Sequence, residues 1–448
     1  MTLRLPDWAP DLYQILHRSP ELGFQEHRTA GLLAEVLGRE GFTLTRGIGG
    51  TGLVAVLDRG PGPVVAARAE LDALPLQERT GSDFASTVDG VMHACGHDLH
   101  LVALAGAAAQ VASRPDLPPG RIVLILQPAE ELGSGAARMV EDGLTEVVPH
   151  PDLLLSQHVS AMAPVGVLVS TPGTALAAAD TITVTARAPG GHTGSPDSGP
   201  DPVLFAACLT QRLHTVVGRD LPPFEQAVVS VPGIAAPSAP GLRAPRATLT
   251  VNIRTFEERV RKTVLGRVDA LVRAEAAAAG LAFGDDVRLI HETHVPRVEN
   301  NAPVRDRLTA VHRSRLSMGH LTVPPALASD DVSLLVRAFG CAAVYWFVGS
   351  GEPGGRLGPV RPACHTDEYL PHPATLAVAT AAMREALLAG LAGELCEPRR
   401  AAQPDPAAQT EAEKASPQNS SCGPRLSSTR TSWEYGQCPR GDLNPHAR

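Results

Sequence analysis

Eight consecutive residues, His93-Ala94-Cys95-Gly96-His97-Asp98-Leu99-His100, hold three histidines, a thiol and a carboxylate directly before an alanine-rich run of helical character. A chain with this cassette must fold so that a strand end delivers the ligating groups and a helix carries the chain away. Cys95 and His97 are two residues apart, so on an extended segment their side chains leave one face and reach a common centre or two adjacent ones. A structural zinc knot needs further cysteines at paired spacing, whereas a catalytic site uses mixed donors and keeps a position open. The mixed set points to catalysis.

The length of 448 residues exceeds what one hydrophobic core organises, so two domains plus appendages are expected. With 44% hydrophobic and 19% charged residues the chain can bury a sizeable core, and a net charge of -8 without a basic stripe disfavours a nucleic-acid or anionic-membrane surface. Neither nucleic acid nor membrane is an expected partner. Residues 1–11 lack an apolar core of secretory length and no stretch approaches about 18 uninterrupted apolar residues, so a cytoplasmic location is expected. Seven cysteines without framework spacing read as reduced thiols, which leaves Cys95 available as a ligand.

The first part of the chain alternates helical and strand patterns, as an α/β domain does. Trp8, Leu12, Ile15 and Leu16 fall at helical spacing, and a second helix is expected over 26–39. Short apolar runs at 52–57, 64–69, 122–126 and 153–157 read as buried strands, with helices between them at 98–112 and 134–142. From 181 to 279 the rhythm changes to strand 181–187, helix 203–217, strands 227–231 and 246–254, and a long helix 257–279. That is an antiparallel sheet with two helices, inserted between halves of the first domain. The α/β pattern resumes with a helix at 302–315, a strand at 341–348 and a helix at 374–391. After 397 the composition turns to Ala, Pro, Gln and Ser, the mark of a disordered tail.

Further polar clusters follow the expected strands. Gln127-Pro128-Ala129-Glu130-Glu131 closes one of them, and two adjacent carboxylates cannot face one centre in the same way, so one ligates and the other handles protons. Gln157-His158-Val159 ends another, and Cys364-His365-Thr366-Asp367-Glu368 lies far downstream. Each alone has an ordinary reading: a solvated acidic turn, a satisfied structural histidine, a surface loop. Arg254, at the end of its strand, suits either a substrate carboxylate or a structural salt bridge.

Taken in order, the stretches His17-Arg18-Ser19-Pro20-Glu21-Leu22-Gly23, Arg68 to Pro75, Met92 to His100, Gln127 to Glu131, Gly190-Gly191-His192 and His365 resemble the zinc-dependent exopeptidase and aminoacylase superfamily. The likeness is greatest to its amidohydrolase branch, with hippurate hydrolases, N-acyl-amino-acid amidohydrolases and auxin-conjugate hydrolases. It implies a phosphorylase/hydrolase-like α/β catalytic domain with a mixed, mostly parallel sheet and an inserted α+β ferredoxin-like lid and dimerisation domain. The corresponding boundaries are 1–178 and 293–396 for the catalytic domain, 179–292 for the lid and 397–448 for the tail. The resemblance further implies two divalent ions, zinc or manganese with nickel and cobalt as other choices, held by Cys95, His97, Glu131, His158 and His365. Glu130 would be general base and acid, His192 an oxyanion donor that in related enzymes comes from a partner subunit, and Asp72 a carboxylate orienting a ligand imidazole. The implied reaction is hydrolysis of N-acyl amino acids or peptide-like amides, with a homodimer formed through the lid, whose edge strand offers backbone groups to a twofold partner.

This chain departs from the pattern at Glu70, where Asp is usual, at Asp197 in place of a histidine, and at Asp330-Asp331-Val332 in place of Glu-Asp-Phe. These changes bear on pocket shape and substrate range. A dipeptidase or carbamoyl-amide hydrolase on the same scaffold is the nearest alternative, and a non-catalytic metal-binding or ligand-sensing protein the more distant one. A proton-handling glutamate beside a ligand counts against the latter.

Overall fold

The computed structural model describes residues 3–358 and 362–395; the tail expected from 397 onward lies outside the described residues. Helices α1 (Ala9–Arg18) and α2 (His27–Arg39) lead into strands β1 (Thr43–Ile48), β2 (Gly52–Asp58) and β3 (Val64–Glu70). Helix α3 (His97–Ala112), strand β4 (Arg121–Gln127), short helices α4 (Gly135–Glu141) and α5 (Leu144–Val147), and strands β5 (Leu153–Pro164), β6 (Val167–Ser170) and β7 (Gly173–Leu176) follow. The middle of the chain comprises β8 (Ala178–Arg187), β9 (Gly191–His192), α6 (Pro202–Leu213), α7 (Val216–Asp220), β10 (Ala227–Ala235), β11 (Leu242–Arg243), β12 (Arg246–Thr255), α8 (Glu258–Ala278) and β13 (Val287–Val295). It returns through β14 (Val298–Asn300), α9 (Ala302–Leu316), β15 (Gly319–Thr322), α10 (Val332–Phe339), β16 (Ala342–Gly351) and α11 (Thr375–Leu391).

Eight strands form one mixed sheet in the order β1-β2-β4-β3-β5-β16-β6-β15. Strands β4, β3, β5 and β16 run parallel in succession, as do β6 and β15, which explains why their sequences are apolar runs rather than alternating patterns: both faces are covered. One face packs Leu53, Leu124, Leu155 and Trp346 against α1, α2, α3, α9 and α11, and the other packs Val54, Ile125, Leu154 and Tyr345 against α4 and α10. Helix α3 is buried over almost its whole length, and its small alanines let it pack closely against both the sheet and α11. The sequence pattern finds β2, β3, β4, α3 and α11 to within a residue or two, does not include β1, β6 or β15, and ends β5 at 157; that strand continues to Pro164 because β16 keeps pairing with it through a stretch that contains His158, Ser160 and Pro164.

The second sheet is antiparallel, ordered β10-β12-β8-β13. With α6 and α8 on one face it follows the strand-helix-strand-strand-helix-strand path of the ferredoxin-like arrangement. Ile182, Val184 and Ala186 alternate with threonines on β8, and Val260, Val264 and Val268 recur every fourth residue on α8, so the two periodicities meet in a separate core. The helix expected over 203–217 is broken into α6 and α7. His214 Nδ1 lies 2.8 Å from the Thr210 carbonyl and the Thr215 hydroxyl donates to the Arg212 carbonyl at 2.7 Å, so side chains take the acceptors that a continuous helix would use. Strand β13, absent from the sequence pattern, closes the sheet and ends at Val295. Among the described residues no helix is long and apolar enough to cross a membrane.

Candidate metal centre

The strand ends β3, β4, β5 and β16 open on one side of the large sheet, where loops and the N-terminus of α3 gather the polar clusters. Gly96 makes the turn into α3 at φ 81°, and a Cβ there would stand 2.6 Å from Val159 Cγ2. Only glycine permits both the left-handed backbone and the approach to β5 that brings Cys95 beside His158. Ala129 and His365 also adopt left-handed backbone, at φ 47° and 67°, each at a cost of about 1–2 kcal/mol. The Ala129 conformation is held by the buried Glu26 carboxylate, which accepts from the Ala129 amide at 2.8 Å and from the Thr51 hydroxyl at 2.5 Å.

Donor atoms from four segments converge. Cys95 Sγ lies 3.3 Å from His158 Nε2 and 3.2 Å from His365 Nε2, while His365 Nε2 lies 3.4 Å from Glu131 Oε1. His97 Nε2 stands 3.9 Å from both Glu130 Oε2 and Glu131 Oε1. The imidazoles are aimed from behind: His97 Nδ1 donates to the Asp72 carbonyl at 2.9 Å and His158 Nδ1 to the Val159 carbonyl at 2.7 Å, which leaves each Nε2 lone pair facing the cluster. Asp72 also accepts from the Glu131 amide at 2.9 Å, and its other oxygen is 3.4 Å from His97 Nδ1. His97 Nε2 and Glu131 Oε1 are buried without a hydrogen-bond partner. Native proteins rarely leave such atoms unsatisfied.

Electrostatics point the same way. Burial opposes a charge on His97, yet Asp72, Glu70 and Glu131 outweigh it and hold the imidazole well above its ordinary range. The space before Nε2 is therefore one where the surrounding carboxylates favour a cation, and a divalent ion satisfies them. Burial, with Asp330 and Glu131 beside it, pushes the Glu130 carboxyl well above the usual carboxylate range. Burial acts in the same sense on Glu131, but His365 and His97 hold it below its ordinary value. The two adjacent carboxylates are thus divided, one fitted to carry a proton and the other to remain charged.

Beneath this cluster the structure assembles a network that the sequence pattern misses. Fully buried Arg68 donates to Glu70, to Asp330 at 3.0 Å, to Asp331 at 3.2 Å and to Gln127 at 2.9 Å. Glu70 in turn accepts from His100 Nδ1 at 2.8 Å, and His100 Nε2 accepts the Val159 amide at 2.9 Å. The unusual residues Glu70 and Asp330 therefore belong, with Asp331, to one arrangement. Glu70 spans Arg68 and His100, and burial next to Asp330 pushes Asp331 up to about 7 despite Arg68. No periodicity reveals such a network, because its members lie as far apart as Arg68 and Asp331.

A cleft of about 1070 Å³ opens over Cys95, Glu130, Glu131, His158 and His365 and extends to Asn252 and Arg254 on β12. Arg254 is held by neutral partners, Asn252 Oδ1 at 2.8 Å and the Ser329 hydroxyl. Of the residues expected at the site, Cys95, His97, Glu130, Glu131, His158 and His365 come together with Asp72 behind them. His192 does not: it is exposed on β9, pairs in register with Leu242, and is outside the residues lining the cleft, as is exposed Asp197.

This constellation on a mixed α/β sheet with a second, antiparallel sheet defines a class, and the family model agrees: residues 66–389 match peptidase family M20/M25/M40, to which the chain belongs. It is 30% identical over 350 residues to thermostable carboxypeptidase 1 of Saccharolobus solfataricus, covering 77% of this chain and 86% of that one. It is 34% identical over 317 residues to N-acetyl-L-cysteine deacetylase of Bacillus subtilis, covering 70% and 74% respectively. Among solved structures, a Bacillus subtilis dinuclear metal-binding peptidase of the M20 family superposes with a TM-score of 0.68 at 25% identity, covering 86% of this chain and 98% of that one.

Proposed function

We propose that the protein is a metal-dependent amidohydrolase that cleaves the amide bond of N-acyl amino acids. The observation that carries this reading is the convergence of Cys95, His97, Glu131, His158 and His365, with His97 Nε2 and Glu131 Oε1 left without partners and the raised Glu130 carboxyl alongside. This donor set suits two divalent ions; thiolate and imidazole favour zinc, while imidazole and carboxylate also accept manganese, cobalt or nickel. Such ions supply the Lewis acidity that polarises an amide carbonyl and eases proton loss from water.

The chain's own residues do the rest. Glu130 takes a proton from the attacking water and returns it to the departing amine nitrogen, and its burial beside Asp330 and Glu131, which raises the carboxyl, favours holding the proton between the two transfers. Asp72 positions His97 through its carbonyl and steadies the Glu131 backbone through its carboxylate. Arg254, drawn down by burial and bound only to neutral groups, offers its guanidinium to the carboxylate of the amino-acid half. His192 is assigned to the oxyanion in trans, from a second copy paired through the segment 179–292, because in its own chain it does not reach the cleft.

The named relatives include both a carboxypeptidase and a deacetylase, and an amide bond to an amino acid bearing a free carboxylate is common to the two reactions. The deciding experiment combines metal analysis with hydrolysis of a panel of N-acyl amino acids and dipeptides, before and after chelation. Full activity in metal-free protein, or cleavage of dipeptides alone, would overturn the reading.

A further inference from the structure

The stretch Gly190-Gly191-His192-Thr193-Gly194 has no apolar side chain to bury, and residues 192–198 are all exposed, so packing cannot fix its shape. Hydrogen bonds do. Strand β9 pairs with β11 so that Gly191 faces Arg243 and His192 faces Leu242, and the Thr193 amide donates to the Gly241 carbonyl at 3.0 Å. At His192 itself, Nδ1 accepts the Gly194 amide at 2.9 Å, while the Ser195 amide donates to the His192 carbonyl at 3.0 Å. An amide N–H only donates, so Nδ1 is the bare nitrogen of the neutral ring and Nε2 carries the proton. That tautomer is the one an oxyanion donor acting through Nε2 needs.

Arg243 ties the two ends of this loop together, and it is only 8% exposed although the loop around it is open to solvent. Its Nη2 donates to the Gly190 carbonyl at 3.3 Å and to the Ser198 hydroxyl at 3.2 Å, and its Nη1 to the Gly199 carbonyl at 3.1 Å. The Ser198 hydroxyl passes the link on to the Ser195 carbonyl at 2.8 Å. Gly191 leaves room for the guanidinium, since a Cβ there would stand 2.8 Å from Nη2. These partners are all neutral. Burying a cation against neutral acceptors recovers only part of its lost hydration, so stability is a poor reason for an arginine at this place. What the rigid fork of donors supplies is geometry: one planar group spans both ends of the segment 190–199.

We propose that Arg243 is a positioning residue for the hydrolysis, closing the segment 190–199 so that the Nε2 proton of His192 is held where the substrate oxyanion forms. This rests on the assignment of His192 to the oxyanion made above and names the group that aims it. Arg243 is outside the residues lining the cleft and acts only through the loop it closes. A displacement of about 1 Å in a donor is enough to cost about a hundredfold in rate, so a loop released from its clamp loses the benefit of the imidazole while still carrying it.

The test is a double-mutant cycle on the metal-loaded, full-length enzyme, with kcat and KM measured on the N-acyl amino acid it cleaves fastest. His192→Ala should lower kcat by about a hundredfold to a thousandfold, the scale of one lost oxyanion donor. Arg243→Ala should lower kcat by about tenfold to a hundredfold with KM nearly unchanged, and Arg243→Lys, which keeps a donor but not the fork, should recover part of the loss. In the His192→Ala background, Arg243→Ala should have no further effect on kcat. Ser198→Ala removes one strand of the clamp without unburying the arginine; its smaller loss should likewise vanish in the His192→Ala background, which decides the matter should Arg243→Ala fail to fold. The same factor lost in both backgrounds would make Arg243 a structural residue and overturn the proposal, as would parent kcat in Arg243→Ala beside a slow His192→Ala; either result leaves the role of His192 standing. Parent kcat in His192→Ala would overturn the assignment of His192 and the proposal with it.

Discussion

Two clusters of histidine and carboxylate flank the start of α3, and they are built in opposite ways. On the cleft side, His97, His158 and His365 turn lone pairs toward Cys95 and Glu131, and buried acceptors are left without partners. On the other side, His17 is closed between two carboxylates, with Asp98 at 2.6 Å and Glu78 at 3.3 Å. His97 and Asp98 are adjacent in sequence yet serve different clusters, because consecutive residues on a helix point about 100° apart. Residue type alone does not make a site: the cleft cluster leaves room for an ion, and the other supplies its own counter-charges.

The largest effect that sharpens this contrast is removal of metal. Chelation should reduce amide hydrolysis to the background rate and divalent metal should restore it, as followed by turnover against metal content. Glu130→Gln should lower kcat by about a hundredfold to ten-thousandfold with the metal retained, the usual scale for a lost acid-base group. If that variant instead loses its metal, Glu130 belongs with the ligands. Cys95→Ala should reduce metal occupancy, measured by elemental analysis of the purified protein.

The closed cluster should answer in stability instead. Asp98→Ala removes one partner of a buried ion pair and should cost about 3–5 kcal/mol by denaturant unfolding, with metal binding retained. A loss of metal with unchanged stability would erase the distinction between the two regions. Glu70→Asp shortens the link from Arg68 to His100 by one methylene; one of the two bonds should fail, costing about 1–3 kcal/mol in thermal or chemical unfolding.

The smallest effect per unit concerns pH. Burial disfavours the His17 cation, but Asp98 and Glu78 overcome it and push the pKa up to about 10, against 6.5 for an ordinary histidine. A raised folded-state value means that this contribution is complete below pH 6.5 and is lost as pH rises toward 10. Between those limits stability should decline by at most about 1.4 kcal/mol per pH unit from this group. Comparing His17→Gln with the parent protein by urea unfolding across that range checks it, since the variant should lack this part of the slope.

Much of this was legible without coordinates, for reasons particular residues make plain. The apolar runs of β2, β3 and β4 and the alanines of α3 are local signals, and Cys95, His97, Glu130, Glu131, His158 and His365 are readable because each sits at the end of such a run or in a recurring motif. The break between α6 and α7 was not, since it depends on the Thr215 hydroxyl finding the Arg212 carbonyl. Neither was the placement of His192, whose glycine-rich turn has no periodicity to orient it.

What the chain alone determined is the inventory and its order: an α/β frame, an inserted α+β segment, and a mixed set of ligating groups in short motifs between and along its elements. These follow from side-chain spacing along one backbone, where period and chemistry are both local. Tertiary structure decided which groups meet. Arg68 joins Asp330 and Asp331 because β3 and the loop before α10 lie side by side, and Phe347 stands next to His158 because β16 inserts beside β5 in one register. A shift of that register by one residue would turn Phe347 to the opposite face of the sheet, so pairing between distant strands, rather than local sequence, sets which side chain stands beside His158.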